Sequence, residues 1–138
     1  MLMFLSSFYG IIDSKNRVSI PSSFRSTIKN SKEKTFVFKS LKYECLEIHL
    51  SSKINSLVKS FDEKDCFSKK NDHFKTAILS DLEEITIDKE GRFVVKDHLQ
   101  KFSKLSKEII FIGKGNHFEI WEKKLGENHK KTSRAKFK

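Results

Sequence analysis

The chain has 138 residues, 37% of them hydrophobic including 13 Phe, and a formal net charge of +10. That size and apolar content fit one globular domain, and a single Pro with 5 Gly excludes a low-complexity disordered chain. Cys45 and Cys66 form neither a disulfide framework nor a metal-ligand spacing, and no apolar run approaches a membrane span, so a soluble protein of the reducing cytosol is expected.

Met1-Leu2-Met3-Phe4-Leu5 is too short for a signal peptide and has no basic region before it. Phe8 to Ile12 is an apolar run that ends in a turn at Asp13. Val18-Ser19-Ile20 alternates as a strand, and Pro21 with Ser22 opens a short helix whose inner face carries Phe24 and Ile28. Thr35 to Phe38 and Cys45 to Leu50 are rich in β-formers. The period then changes: Ile54, Leu57, Val58 and Phe61 share one helical face, with Ser51 or Ser52 as the N-cap. A polar break is expected at Asp62 to Asp65, followed by a second helix marked by Phe67, Phe74, Ile78 and Leu82. Strands are expected at Glu84 to Ile87, Phe93 to Val95, Ile109 to Ile112 and Phe118 to Trp121, with a helix from Asp97 and a hairpin turn over Gly113 to Asn116. Residues 123–138 carry seven Lys or Arg against Glu127 alone; with little apolar content, residues 126–138 read as a disordered basic arm.

One pattern organises these elements. Ile12-Asp13-Ser14-Lys15-Asn16-Arg17-Val18 returns as Ile87-Asp88-Lys89-Glu90-Gly91-Arg92-Phe93, with both Asp and both Arg displaced by 75 positions. Each copy continues through a short strand, a short helix and two β-like runs, Leu46-Glu47-Ile48-His49 in one and Phe118-Glu119-Ile120-Trp121 in the other. Two units of about 45 residues are each too small for a comfortable core, so they are expected to share one around a pseudo-twofold axis.

A single D-x-x-x-R string is most simply a structural corner, because Asp accepts backbone N–H groups in turns and Arg can fold back onto it. Two features point further. Asn16 and Gly91 are the two residue types that best tolerate a left-handed backbone, so both turns are expected to need positive φ. Lys15 and Lys89 add a second cation beside each Arg, which an internal ion pair does not require. Alternation sets Arg17 and Ser19 on the face opposite Val18 and Ile20. Lys15, Arg17, Arg25 and Lys29 then form a cationic surface in copy one, and Lys89, Arg92, Lys96, Lys101 and Lys104 in copy two. Arg reads guanine edges bidentately, whereas Lys mostly meets phosphate.

The repeated turn, the segment Arg17-Val18-Ser19-Ile20-Pro21-Ser22-Ser23-Phe24-Arg25 and the run Phe118-Glu119-Ile120-Trp121 together resemble the MraZ family, over nearly the whole chain. The resemblance implies an α+β fold of two tandem SpoVT-AbrB swapped-hairpin units, closing a pseudo-symmetric barrel with flanking helices. It divides the chain into domain 1 at 7–52, a helical connector at 53–81, domain 2 at 82–125 and the basic tail at 126–138. It implies a bacterial transcriptional regulator of the division and cell-wall gene cluster, located in the cytoplasm and nucleoid. Such proteins form ring-like homo-oligomers that bind short direct repeats of double-stranded DNA upstream of their own operon. The DNA-binding residues carried over are Lys15, Arg17, Arg25, Lys89 and Arg92. Copy two departs from the pattern: Lys96 stands where copy one has Pro21, and Gln100 where it has Arg25, so its helix is expected to start differently and to touch DNA less.

Other chemistries find little support. The five His lie at no metal-ligand spacing, no Ser-His-Asp or Cys-His constellation can be assembled, and Gly113-Lys114-Gly115-Asn116 lacks the length of a P-loop. No enzyme, metal or cofactor is expected. The rival reading is a basic oligomeric interaction protein that binds RNA or an acidic protein. RNA ranks lower because the Phe residues occupy core-periodic positions rather than a stacking platform.

Overall fold

The computed structural model describes residues 3–63 and 67–137. Copy one contributes β1 (Ser7–Ile11), β2 (Arg17–Ser19), α1 (Ser22–Ser31), β3 (Thr35–Lys39), β4 (Leu46–Leu50) and α2 (Ser51–Glu63). The connector is α3 (Lys69–Leu79). Copy two follows with β5 (Glu83–Glu84), β6 (Arg92–Val94), α4 (Asp97–Ser103), β7 (Glu108–Gly113), β8 (His117–Glu122) and α5 (Lys123–Lys136). By position in the repeat, α5 is the counterpart of α2.

Six strands form one antiparallel sheet in the order β1-β7-β8-β4-β3-β5, and β2 pairs with β6 in a separate two-stranded ribbon. Replacing each strand by its counterpart in the other copy reverses this order and leaves it unchanged. The first strand of each copy therefore joins the hairpin of the other: β1 lies on β7, and β5 on β3. Between the two central strands Glu47 stands opposite Glu119, at the axis of the repeat.

The sheet is α+β in class but open, not the closed barrel the resemblance implies. The expected strand at Glu84–Ile87 shrinks to Glu83–Glu84, too short a ladder to reach around to β1. Instead the ribbon, α1 and α4 cover the inner face. Val37, Ile48, Ile109 and Phe118 of the sheet meet Val18 and Phe93 of the ribbon, with Phe24 of α1 and Leu99 of α4, in one core drawn from both copies. Phe24 packs its ring 4.7 Å from Phe118 and 5.4 Å from Phe4, geometry that favours aromatic pairs. On the outer face Phe38 packs with Ile54 and Phe61 of α2 and Ile78 of α3, while Ile110 and Trp121 lie beneath α5.

Local chemistry explains the helix ends. Pro21, at φ −52° and ψ 143°, precedes α1, and Lys96, at φ −61° and ψ 152°, precedes α4. The two backbones nearly coincide, so the loss of proline does not change how the second helix starts. The first turn of α2 is capped not by Ser51 or Ser52 but by Glu33, whose carboxylate accepts the Ser52 N–H at 2.6 Å and the Ser51 hydroxyl at 3.2 Å. Asp62 and Glu63, expected in a break, belong to α2; Lys64, Asp65 and Cys66 lie outside the described residues. Ser68 caps α3, and Phe67, expected on its inner face, is exposed.

The basic tail is not a disordered arm. Its residues continue α5, whose start is capped by Glu122 accepting the N–H groups of Lys124 and Leu125, both at 3.0 Å. Gly126 lets this helix touch the sheet, since a Cβ there would run into Ile110 and stand 2.8 Å from Trp121. His129 stacks on Trp121 at 4.5 Å, and Glu127 and Lys130 reach Tyr9 and Ser7 at 2.8 and 2.7 Å. Low apolar content hid this docking because it rests on a glycine, an imidazole and polar side chains rather than on an apolar face. Gly126→Val is expected to overpack that contact by about 1–3 kcal/mol. Hydrogen exchange should show α5 released and Trp121 fluorescence should shift to the red, with the central sheet still protected.

Candidate nucleic-acid interface

The turn at Asp13 is built by its own carboxylate. Asp13 Oδ1 accepts the backbone N–H groups of Lys15 and Arg17, both at 2.9 Å, and Oδ2 accepts Arg17 Nε–H at 2.8 Å. The Asp13 carbonyl accepts the Asn16 N–H at 3.0 Å. The second turn repeats the set: Asp88 Oδ1 accepts from Glu90 and Arg92 at 2.9 Å, Oδ2 from Arg92 Nε at 3.0 Å, and its carbonyl from Gly91 at 3.0 Å. Asn16 has φ 63° and Gly91 φ 79°, the positive values expected of both.

The two turns are latched to one another. Ile20 N–H donates to Gly91 O at 2.9 Å, and its counterpart Val95 N–H donates to Asn16 O at 2.8 Å. Between these latches Val18 faces Phe93, both buried in the core. Alternation then turns Arg17, Ser19, Arg92 and Val94 outward. Arg17 stands opposite Val94 and Arg92 opposite Ser19, so the arginines are diagonal neighbours, about 7–8 Å apart at the backbone.

The arginines differ in what remains free. Arg17 spends Nε on Asp13, and its terminal nitrogens have no hydrogen-bond partner among the described residues. Arg92 spends Nε on Asp88 and a terminal nitrogen on Glu90 Oε2 at 2.6 Å. Arg25 crosses from α1 to the other copy, packs over Gly91 and donates Nη1–H to Glu90 O at 3.0 Å. With Lys29, Lys89 and Asp88 it lines an open cleft of about 420 Å³. Gln100, where copy two has no arginine, turns back and donates to Val95 O at 2.8 Å.

Superposing the repeats shows that Lys15 and Lys89 are not counterparts: Lys15 matches Glu90, and Lys89 matches Ser14. The first turn thus carries two cations against one acid, the second two against two. The cationic surface expected of copy two is also largely partnered. Lys96 meets Glu83 at 3.2 Å, Lys101 meets Asp97 at 3.1 Å and Lys104 meets Glu44 at 3.1 Å. Among the described residues no ion pair engages Lys15 or Lys29 of copy one, or Lys89 of copy two.

Val94 is the surface residue that sequence reading passed over. It is 57% exposed beside Arg17, and the same alternation that turns Arg92 outward could have found it. Glu90 is the other, because a glutamate inside a basic motif shows its effect only once its reach to Arg92 is known.

The Arg17 backbone N–H, then its side chain, hold the Asp13 carboxyl below the usual carboxylate range, and Arg92 does the same for Asp88. With both pKa values depressed in the folded state, turn stability is complete above the ordinary carboxylate value and is lost as pH falls through the lowered one. Carboxyl NMR titration should place both midpoints below about 3.9. Gly91→Ala should cost about 1–2 kcal/mol through its positive φ, with added displacement of Arg25, whereas Asn16→Gly should change stability little; denaturant melts check both.

The sequence has relatives among known proteins. A family described as "MraZ protein, putative antitoxin-like" matches residues 78–137. The chain is 36% identical over 135 residues to the Transcriptional regulator MraZ of Pelagibacter ubique (strain HTCC1062), spanning 97% of this chain and 87% of that protein. It is 30% identical over 134 residues to the protein of that name from Rickettsia akari (strain Hartford), spanning 96% and 90%. The Rickettsia felis (strain ATCC VR-1525 / URRWXCal2) protein is 31% identical over 123 residues, spanning 88% and 83%. With relatives 30% and 36% identical over nearly the whole chain, the chain belongs to the MraZ family.

Proposed function

We propose that the protein is a sequence-specific DNA-binding transcriptional regulator, and that the outer face of the β2–β6 ribbon with its two turns meets the duplex. The observation that carries this reading is the pair of latched turns, which present Arg17 and Arg92 on one exposed face. B-DNA's major groove admits a two-stranded β-ribbon, and an Arg held at Nε keeps its terminal edge for the O6 and N7 of guanine. Arg17 reads in this way, while Arg92 must first exchange Glu90 for a base. Val94 suits contact with a thymine methyl group. Lys15, Lys89, Arg25 and Lys29 position phosphates. The names of the relatives support regulation of transcription.

The finer expectations follow from the resemblance. They comprise the SpoVT-AbrB units at 7–52 and 82–125, separated by a connector at 53–81, and the ring-like homo-oligomer. They extend to short direct repeats upstream of the protein's own operon, in the division and cell-wall gene cluster. A ring would bring several turns to successive repeats and raise their effective concentration. Light scattering at micromolar protein should report a closed oligomer, and a monomer would count against that part.

Binding of labelled operator and random duplexes at several salt concentrations tests the face itself. Arg17→Ala should cost about 1–3 kcal/mol on operator and relax the preference for guanine. Lys15→Ala should weaken both duplexes alike and lower the salt slope by about 1. The copy-one changes should exceed Arg92→Ala, because Glu90 already occupies part of that guanidinium. If Arg17→Ala binds operator as wild type does, the ribbon is not the reading head. Stronger retention of RNA than of duplex DNA at equal salt would favour the interaction-protein reading.

A further inference from the structure

The repeat axis sets two carboxylates face to face at the centre of the sheet. A residue beside a twofold axis faces its own counterpart, and here that residue is glutamate. Glu47 on β4 stands directly opposite Glu119 on β8, with side chains 13% and 4% exposed. Two residues along the ladder, on the same outer face, His49 stands opposite His117, their rings stacked at 4.3 Å. Four ligating side chains thus crowd one patch between the helical covers α2–α3 and α5, on the wall of a cavity of about 390 Å³.

Hydrogen bonds fix how these groups point. Asn116 Oδ1 lies 2.7 Å from His117 Nδ1 and, as an amide oxygen, can only accept, so His117 carries its proton on Nδ1. The bare lone pair of Nε2 then faces Glu47 Oε1 at 3.7 Å and Glu119 Oε2 at 4.0 Å, acceptor against acceptor. His49 Nε2 lies 2.9 Å from Glu47 Oε1, while its Nδ1 is buried with no partner among the described residues. The other oxygen of Glu119 accepts Trp121 Nε1–H at 2.9 Å, the kind of outer hydrogen bond that holds a ligating carboxylate in place.

We infer that Glu47, His49, His117 and Glu119 form a binding site for one divalent transition-metal ion of the zinc type, joining the two copies across β4 and β8. The nitrogen and oxygen donors of Glu47, His49 and His117 already lie within 4.8 Å of one another. Zinc ligands at 2.0–2.1 Å in tetrahedral geometry stand about 3.3 Å apart, so the widest separation among Glu47, His49 and His117 would close by at most about 1.5 Å to seat the ion, with Glu119 turning in as the fourth ligand. Two carboxylates balance its charge, and imidazole donors select zinc, cobalt or nickel over magnesium. Such an ion is a structural clamp on the pair of strands that every other strand is built from. It is independent of the DNA reading, since it sits on the opposite face of the sheet from the ribbon.

The test uses the untagged full-length chain, stripped with EDTA and titrated with Co²⁺, Zn²⁺ and Mg²⁺. Co²⁺ is expected to bind one per chain with the strong visible absorption of a four-coordinate site, and Zn²⁺ to displace it. Zn²⁺ at a hundredfold over its Kd should raise Tm by roughly 5–10 °C, and Mg²⁺ should not. His117→Gln and Glu47→Gln should each weaken binding at least tenfold, while the exposed His73→Gln should not. Glu47→Gln guards against a folding artefact: its amide oxygen can still accept from His49, so the metal-free variant should remain folded by circular dichroism while the zinc-induced rise disappears. Absence of binding by wild type, or a full zinc-induced rise in Glu47→Gln, would overturn the site.

Discussion

The structure depends on one reciprocal exchange of main-chain hydrogen bonds, from Ile20 N–H to Gly91 O and from Val95 N–H to Asn16 O. Each copy closes the turn of the other. Because the acceptors are the residues with positive φ, the left-handed backbone is what aims each carbonyl across the ribbon. The ribbon in turn buries Val18 and Phe93 against the sheet, and so commits Arg17 and Arg92 to solvent. Half the chain could not reproduce this, since β1 and β5 would lose their partner strands as well.

The aspartates connect that architecture to chemistry. One carboxylate organises each turn through backbone N–H groups and then fixes its arginine by Nε, so the ion pair is structural and also sets the orientation of the guanidinium. Exposed pairs of this kind contribute little to stability, and the value of the pair here is direction. The copies have diverged in charge rather than in backbone. Lys96 preserves the helix start of Pro21, but Glu90, Glu83, Asp97 and Glu44 draw the cations of copy two into local pairs.

The two faces of the sheet carry opposite kinds of polar chemistry. The inner face is apolar and hands its polarity to the ribbon. The outer face gathers Glu47, His49, His117 and Glu119 between two helical covers that are themselves counterparts in the repeat, α2 and α5. The glutamates match each other across the axis, while the histidines do not: His49 occupies the position that Trp121 holds in copy two. A symmetric fold therefore acquires an asymmetric polar centre, stacked on Phe38 at one side and braced by Trp121 at the other.

The sequence by itself determined what is local and repeated. The 75-residue displacement, Asn or Gly before each Arg, strand alternation, and the inner faces of α1 and α2 were legible because turn chemistry and side-chain period act within a few residues. Only the tertiary structure decided what depends on meeting across the axis. No spacing reveals that β1 crosses to β7, that β5 is too short for closure, or that Arg25 serves the other copy's turn. The docking of α5 rests on one missing Cβ at Gly126 against a distant strand, and composition alone reads that segment as solvated. His49 and His117 are 68 positions apart in the chain and become neighbours because antiparallel register, set by the burial of Ile48 and Phe118 on the opposite face, places one directly across from the other.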